Sequence, residues 1–261
     1  MSEVTVREMD SSDEYFVGTC SHVDESPEID ACSERRIAWL REMREQGMSV
    51  KVALLDGKRV GFIYLIPIEL SPWGPVGRDL TAIPCLWVVR DAQGSGAGRA
   101  LMQEAEREAR CRGGKGLAVV AYHTDFWFMP ASFFEKLGYT AAQRRENEAI
   151  MWKAFDPGAK PPDFLTADYR FEPVEGKTVI DLFWNTLCLT SAGEAQRVRE
   201  VVAEFGDKLV LHEYCADDRD TLRRYQIPRA IFVNGKEIGW GYEAPKEGIR
   251  EAISEALGSN R

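Results

Sequence analysis

Between residues 83 and 112 a stretch of branched and aromatic residues runs into Gln93-Gly94-Ser95-Gly96-Ala97-Gly98, and an amphipathic helix starts at once. This junction constrains the chain more than any other feature. Glycine lets the backbone turn tightly and approach a ligand with no Cβ in the way. The first amides of a helix lack intrahelical acceptors, and the helix dipole adds positive potential behind them. A strand, a glycine turn and a helix start therefore make a site for a pyrophosphate. A Walker loop would end in Gly-Lys-Ser/Thr, and here the residues are Gly98-Arg99-Ala100. A dinucleotide fold would place a third glycine where Arg99 stands, and would end its next strand on an acid rather than on His123.

The rest of the pattern divides the chain. Three prolines and a glycine fall within Phe155–Asp163, which reads as a break. The expected organisation is a first domain over 1–155, a proline-rich linker over 156–171 and a second domain over 172–261. In the first, strands are expected at 4–7, 50–55, 60–68, 83–89, 117–122 and 149–154. Helices are expected from Ser12, over 29–44, over 96–112 and over 133–137. Asp56-Gly57 is a hairpin signal. The order is mixed α+β.

Charge and cysteine usage narrow the partners. A net charge of −9 argues against nucleic acid as a bulk partner. The start, MSEVTVREMD, is unlike a signal peptide, and no run of 18 apolar residues occurs, so a cytoplasmic protein with no membrane partner is expected. The six cysteines, Cys20, Cys32, Cys85, Cys111, Cys188 and Cys215, form no Cys-x-x-Cys pair. Most are expected to be free thiols packed as small hydrophobes. No metal is assigned, although Cys20, His22, Cys32, Cys85 and His123 could converge on a soft metal or a thiol-bearing acceptor.

The glycine junction resembles the Gln/Arg-x-x-Gly-x-Gly/Ala signature of the GNAT acetyltransferase superfamily, matched by Gln93, Gly96 and Gly98. Leu86-Trp87-Val88 resembles that family's splayed strand, and Phe133-Phe-Glu-Lys-Leu-Gly-Tyr139 resembles its segment near the cofactor thiol. The resemblance implies acetyl-CoA as cofactor, held by Leu86, Trp87, Val88, Gln93, Gly94, Ser95, Gly96, Ala97, Gly98 and Arg99. It also implies N-acetylation of a small amine, by direct attack on the thioester. Two positions depart from the family: Phe134 stands where a tyrosine usually supplies the leaving thiol's proton, and Trp127 where an asparagine is frequent. His123 and Tyr122, at the end of the strand 117–122, are the replacement candidates, with Tyr139 a further donor. Trp73 is a candidate wall of the acceptor pocket. The alternative is a CoA-binding or thiol/metal-handling sensor without turnover.

In the second domain, strands are expected at 178–184, 209–214, 230–233 and 237–240, with helices after Ser191, over 218–225 and from Pro245. This order resembles the thioredoxin/glutaredoxin α/β fold, with Cys188 at a helix start facing a cis-proline at Pro228. The motif is Cys-x-x-Ser, with Ser191 in the place of a second thiol, so monothiol chemistry at Cys188 is expected, with Cys215 a conceivable resolving thiol. The two domains together resemble the YoaP-like group of acetyltransferases. Acceptor and oligomeric state stay open.

Overall fold

The structure is a computed structural model that describes residues 3–123, 128–239 and 242–259. The chain divides into two compact units, one formed by 1–25 and 37–165, the other by 26–36 and 166–261.

In the first unit, β1 (Val4–Glu8), α1 (Glu14–Gly18), α2 (Pro27–Glu45), β2 (Ser49–Leu55) and β3 (Lys58–Pro67) are followed by β4 (Thr81–Ala82) and β5 (Leu86–Val88). Then come α3 (Ala97–Cys111), β6 (Gly116–Tyr122), α4 (Ala131–Glu135), β7 (Thr140–Arg145) and β8 (Glu148–Ala154). The second half of α2 belongs here and its first half to the other unit. The sheet order is β1-β2-β3-β4-β6-β8-β7, with β5 paired to β3 alone. The alternating residues Ile63, Leu65, Leu117, Val119 and Ala121 meet Leu101, Met102 and Ala105 of α3 in the main core.

Two expectations change. The stretch 83–89 is not one strand. Pro84 lacks an amide hydrogen and cannot serve a ladder on both sides, so the chain leaves β4, parallel to β6 at Thr81↔Leu117, and enters β5, antiparallel to β3 at Phe62↔Trp87. The sheet splits at that point. A further strand, β7, absent from the expected set, lies outside β8 as the edge strand, joined to it through Glu146-Asn147. The residues of β7 are polar and mostly exposed, so they carry little alternating apolar signal.

The proline-rich stretch is fastened at both ends. Asp163 exchanges backbone bonds with Val76 at 2.9 Å and accepts from Gln143 at 2.6 Å within the first unit. In the second unit, the Asp168 amide donates to the Tyr225 carbonyl at 2.8 Å.

The second unit holds β9 (Thr178–Trp184), α5 (Leu189–Phe205), β10 (Leu209–Cys215), α6 (Arg219–Tyr225), β11 (Ala230–Val233), β12 (Lys236–Ile238) and α7 (Lys246–Ser259). Its sheet order is β10-β9-β11-β12, with β9 and β10 parallel and the other pairs antiparallel. Ile180 and Leu182 turn to a core with Val198 and Ile249, while Phe183 and Phe232 face Tyr169, Tyr214 and Tyr225. Segment 26–36 joins this unit, where Glu28 accepts from Arg197 at 2.8 Å. The last residue of the expected strand 237–240, Trp240, lies outside the described residues.

Candidate functional site

The split beside β5 exposes one strand edge, and hydrogen bonding shows which groups line it. Cys85 O accepts from the Tyr64 amide at 3.0 Å, and the Val89 amide donates to Val60 O at 2.8 Å. Residues 85, 87 and 89 thus aim their backbone groups at β3, and Leu86 and Val88 aim theirs away from it. The Leu86 amide meets Met129 Sδ at 3.3 Å, and Val88 O accepts from Gln93 Nε2 at 3.3 Å. The Val88 amide points away from β3, into the split. Nearby, β6 turns elsewhere: the Tyr122 amide donates to Met129 O at 3.1 Å.

The glycine turn continues from this edge. Gly94 has φ +82° and Gly96, the N-cap of α3, has φ +94°, a region that favours glycine. A Cβ at either would meet nothing within 4 Å, so their outer side is open. Gly98 faces inward instead, where a Cβ would stand 3.4 Å from Phe133. Gln93, Ser95 and Arg99 are exposed, and Ala97 is buried under the first turn. Ser95 Oγ accepts from the Ala97 amide at 3.3 Å, the first helical bond runs from the Ala100 amide to Gly96 O at 3.0 Å, and the Gly98 and Arg99 amides between them precede the intrahelical ladder. An open turn of left-handed glycines, orphan amides and the Val88 donor fits the diphosphate and thioester arm of acetyl-CoA.

Proton-carrying groups are sparse here. Phe134 is fully buried, edge-on to Phe133 and Tyr139, and serves the core. Tyr139 is also buried, and burial together with the Glu106 carboxylate pushes its hydroxyl well above the ordinary tyrosine range. It packs under Lys153 as part of the core, which removes it as a neutral-pH donor. Tyr122 is half-buried beside Phe128, and His123 is exposed, its amide donating to Asn147 O at 2.8 Å. Trp127 lies outside the described residues. Trp73 is half-buried in a turn where Ser71 Oγ donates to Gly74 O at 3.0 Å.

On the opposite face from α3, the Trp87 indole Nε1 donates to Ser21 Oγ at 2.9 Å. Ser21 and Cys20 have φ of 69° and 51°, two consecutive non-glycine residues in left-handed conformation. Sequence reasoning singled out Cys20 and His22 in this stretch and missed Ser21, whose role depends on a partner 66 positions away. His22 is exposed and paired with Glu25 at 2.9 Å. Among the described residues no group of three or more His, Cys, Asp or Glu side chains could hold a metal ion.

In the second unit, Cys188 is the N-cap of α5, its amide donating to Asn185 Oδ1 at 2.9 Å. Its Sγ lies 3.0 Å from Thr190 Oγ1, which accepts from Arg229 Nη1 at 3.1 Å, and Arg229 is anchored by Glu194 at 2.7 Å. Ser191 Oγ accepts from the Asn185 amide at 3.0 Å, a structural bond that occupies the motif's fourth position. The Ile227–Pro228 bond is trans, contrary to expectation: among the described residues only Gly74–Pro75 is cis. Pro228 O instead accepts from Asn185 Nδ2 at 2.9 Å. Burial and Asp217 push the Cys215 thiol up to about 12, so it carries little thiolate at neutral pH. A second polar cluster went unread: Asp181, buried in β9, accepts from Tyr169 at 2.6 Å and lies 2.9 Å from His212 Nδ1. Its partners are too far along the chain to form a motif.

All six cysteines are free, and among the described residues no helix is long and apolar enough to cross a membrane. Comparison with curated proteins finds no match. Among solved structures, PaiA N-acetyltransferase from Thermoplasma acidophilum in complex with coenzyme A is 17% identical, covering 59% of this chain and 99% of its own, with a TM-score of 0.42. Ribosomal-protein-alanine N-acetyltransferase from Brucella melitensis is 20% identical, with coverages of 58% and 99% and a TM-score of 0.43. A GNAT family acetyltransferase from the same organism, in complex with acetyl-CoA, is 18% identical, with coverages of 62% and 94% and a TM-score of 0.40. The family model described as acetyltransferase (GNAT) family matches residues 9–139, half of the chain. The span includes β5, the glycine turn and α4, and the chain belongs to the GNAT acetyltransferase family.

Proposed function

We propose that this acetyl-CoA-dependent acetyltransferase acts on the amino group of a small molecule, and that its second unit is an accessory monothiol domain. The observation that carries the first part is the Val88 amide, which points into the split immediately before the open glycine turn. The amides of Gly94, Gly96, Gly98 and Arg99 hold the diphosphate, and the Val88 amide holds the thioester carbonyl oxygen as negative charge develops there. Acetyl-CoA supplies an activated acyl group with a thiolate leaving group. Phe134 has no proton to give, so the hydroxyl of Tyr122 and the imidazole of His123 are proposed to handle protons at the open end of β6.

For the second part, the sheet order β10-β9-β11-β12 and a cysteine capping α5 support a thioredoxin-like reading and a likeness to the YoaP-like group. The trans Pro228 departs from that pattern, and Ser191 and the protonated Cys215 leave Cys188 to act alone.

The test is release of CoA thiol from acetyl-CoA in the presence of primary amines. Amine-dependent release that falls at least about tenfold in His123→Ala or Tyr122→Phe is expected. Acetyl-CoA binding with no release for any primary amine would contradict the small-amine reading.

A further inference from the structure

We infer that Met129 closes the far end of the acyl slot and restricts the donor to a short acyl group, which makes it a specificity-determining residue of the transferase. The inference rests on the acetyl-CoA reading above and adds the residue that sorts acyl-CoA donors by chain length.

The split between β5 and β6 has a filled end and an open end. At its root β4 and β6 run side by side, with the Ile83 amide donating to Ala118 O at 2.8 Å. Past Pro84 the strands part, and Met129 stands between them. From the β5 side the Leu86 amide donates to Met129 Sδ at 3.3 Å. From the β6 side the Tyr122 amide donates to Met129 O at 3.1 Å, and Pro130 lies beside Tyr122 as a parallel partner. One residue thus takes backbone donors from both strands. Burial follows the same order: Leu86 and Met129 are buried, and Val88, two positions further on, is half-buried. Met129 shares its core with Leu86, Ala121 and Phe134.

The cofactor reading fixes which end the acyl group meets. The diphosphate lies on the glycine turn, after Val88 in the chain, so the pantetheine arm runs back along β5 and the acyl group points from Val88 towards Leu86. Two strand residues span about 7 Å, and the Met129 thioether stands at the end of that interval. An acetyl group adds a single methyl beyond the carbonyl. Each further methylene brings the acyl chain closer to Met129, until the side chain must give way.

Met129 is held where it is. Its φ of +45° is left-handed, an uncommon conformation for a residue with a Cβ, and the following proline narrows its backbone choices further. Such conformations persist where the surroundings over-determine them. Here the bonds from both strands do so, together with the Phe133 amide, which donates to Pro130 O at 3.0 Å and fixes the next turn. The thioether itself is adaptable and a weak acceptor, so it yields more readily than backbone. Selection is therefore graded, rising with each methylene added to the acyl group.

The experiment titrates the full chain calorimetrically with CoA, acetyl-CoA, propionyl-CoA and butyryl-CoA. The inference predicts that wild-type affinity falls stepwise along the acyl series, by at least about tenfold from acetyl to butyryl. Met129→Ala should narrow that gap to about threefold or less by binding butyryl-CoA more tightly. CoA has no acyl group, so its affinity should change little and reports whether the variant is folded. Met129→Leu, which refills the position, should keep the wild-type gap. The wild-type series needs no variant, so it decides even where Met129→Ala fails to fold. A flat acyl series in the wild type, or an unchanged gap in a Met129→Ala chain that still binds CoA, would overturn the inference. Absence of binding by CoA and acetyl-CoA alike would overturn the cofactor assignment as well, which separates the two failures.

Discussion

Gly61 lies directly across the strand pair from Val88, and a Cβ on Gly61 would stand 2.5 Å from the carbonyl oxygen of Trp87. The same Cβ would meet the Val88 Cα at 3.2 Å, so the obstruction is backbone and cannot rotate aside. The bare glycine therefore sets how closely β5 approaches β3, and with it where the Val88 amide points. Gly61→Ala is expected to destabilise the chain by about 1–3 kcal/mol, as overpacking of a filled site does, and to weaken acetyl-CoA binding. Urea unfolding together with a binding titration checks both effects, and wild-type values for both would refute this role.

Gly96 offers a contrasting case. Its φ of +94° disfavours any side chain, yet a Cβ there meets nothing within 4 Å. Gly96→Val should therefore lose roughly 1–2 kcal/mol of stability from backbone strain alone. Acetyl-CoA affinity should fall by more, because the side chain stands where the diphosphate must approach the amides. A variant with lowered stability and unchanged affinity would remove the glycine turn from the cofactor site.

Beneath the sheet's first strands, buried Lys51 is paired with Glu108 and Glu8, and Ser49 donates to Glu108 at 2.5 Å. Burial pulls the Lys51 pKa down, but the two carboxylates outweigh it and leave it raised. Burial pushes Glu108 up, and the bonds from Lys51 and Ser49 outweigh that, leaving it lowered from 4.5. A lowered carboxylate contributes its stability above the unfolded value and loses it as pH falls through the folded one. Glu108→Gln should thus cost about 1–3 kcal/mol at pH 7, because the buried Lys51 ammonium loses one of its two close carboxylates and keeps Glu8. Its deficit relative to wild type should shrink below about pH 4.5, as the wild-type carboxylate protonates. Denaturation curves at pH 7 and pH 3.5 make the comparison, and a deficit independent of pH would exclude the ion pair as its source.

Thiol labelling separates Cys188 from Cys215. Cys111 is exposed and will label with any alkylating reagent, so the experiment starts from Cys111→Ser. In that background Cys188 should react with iodoacetamide before Cys215, whose thiol stays protonated near neutral pH. A thiol raised from 9.0 to about 12 contributes full stability below pH 9, and this is lost as pH rises towards 12. Peptide mapping that finds Cys215 modified first would contradict the assignment.

The glycine junction was legible because its chemistry is local: the strand, the turn and the helix start occupy adjacent residues, and their positive φ values follow from composition. The order of elements in the second unit was legible for the same reason, since its strands are short, apolar and bounded by turn residues. What could not be read depends on distance or on absent signal. Pro84 marked the place where the sheet splits, but its effect shows only when β4 and β5 are seen to choose different partners. The polar edge strand β7 has no buried face to betray it. Ser21 meets Trp87, and Asp181 meets His212, through folding alone, and no spacing rule connects them. The trans Pro228 shows the reverse error, in which a resemblance supplied a geometry that the chain does not adopt.

The central claim is that the Val88 edge and the glycine turn together bind acetyl-CoA. Calorimetric titration of the full chain with acetyl-CoA, repeated with Gly96→Val, tests it most directly. Saturable binding of one molecule per chain, lost or weakened by at least about tenfold in the variant, is the predicted result. No heat of binding in the wild type, or equal affinity in the two proteins, would contradict it.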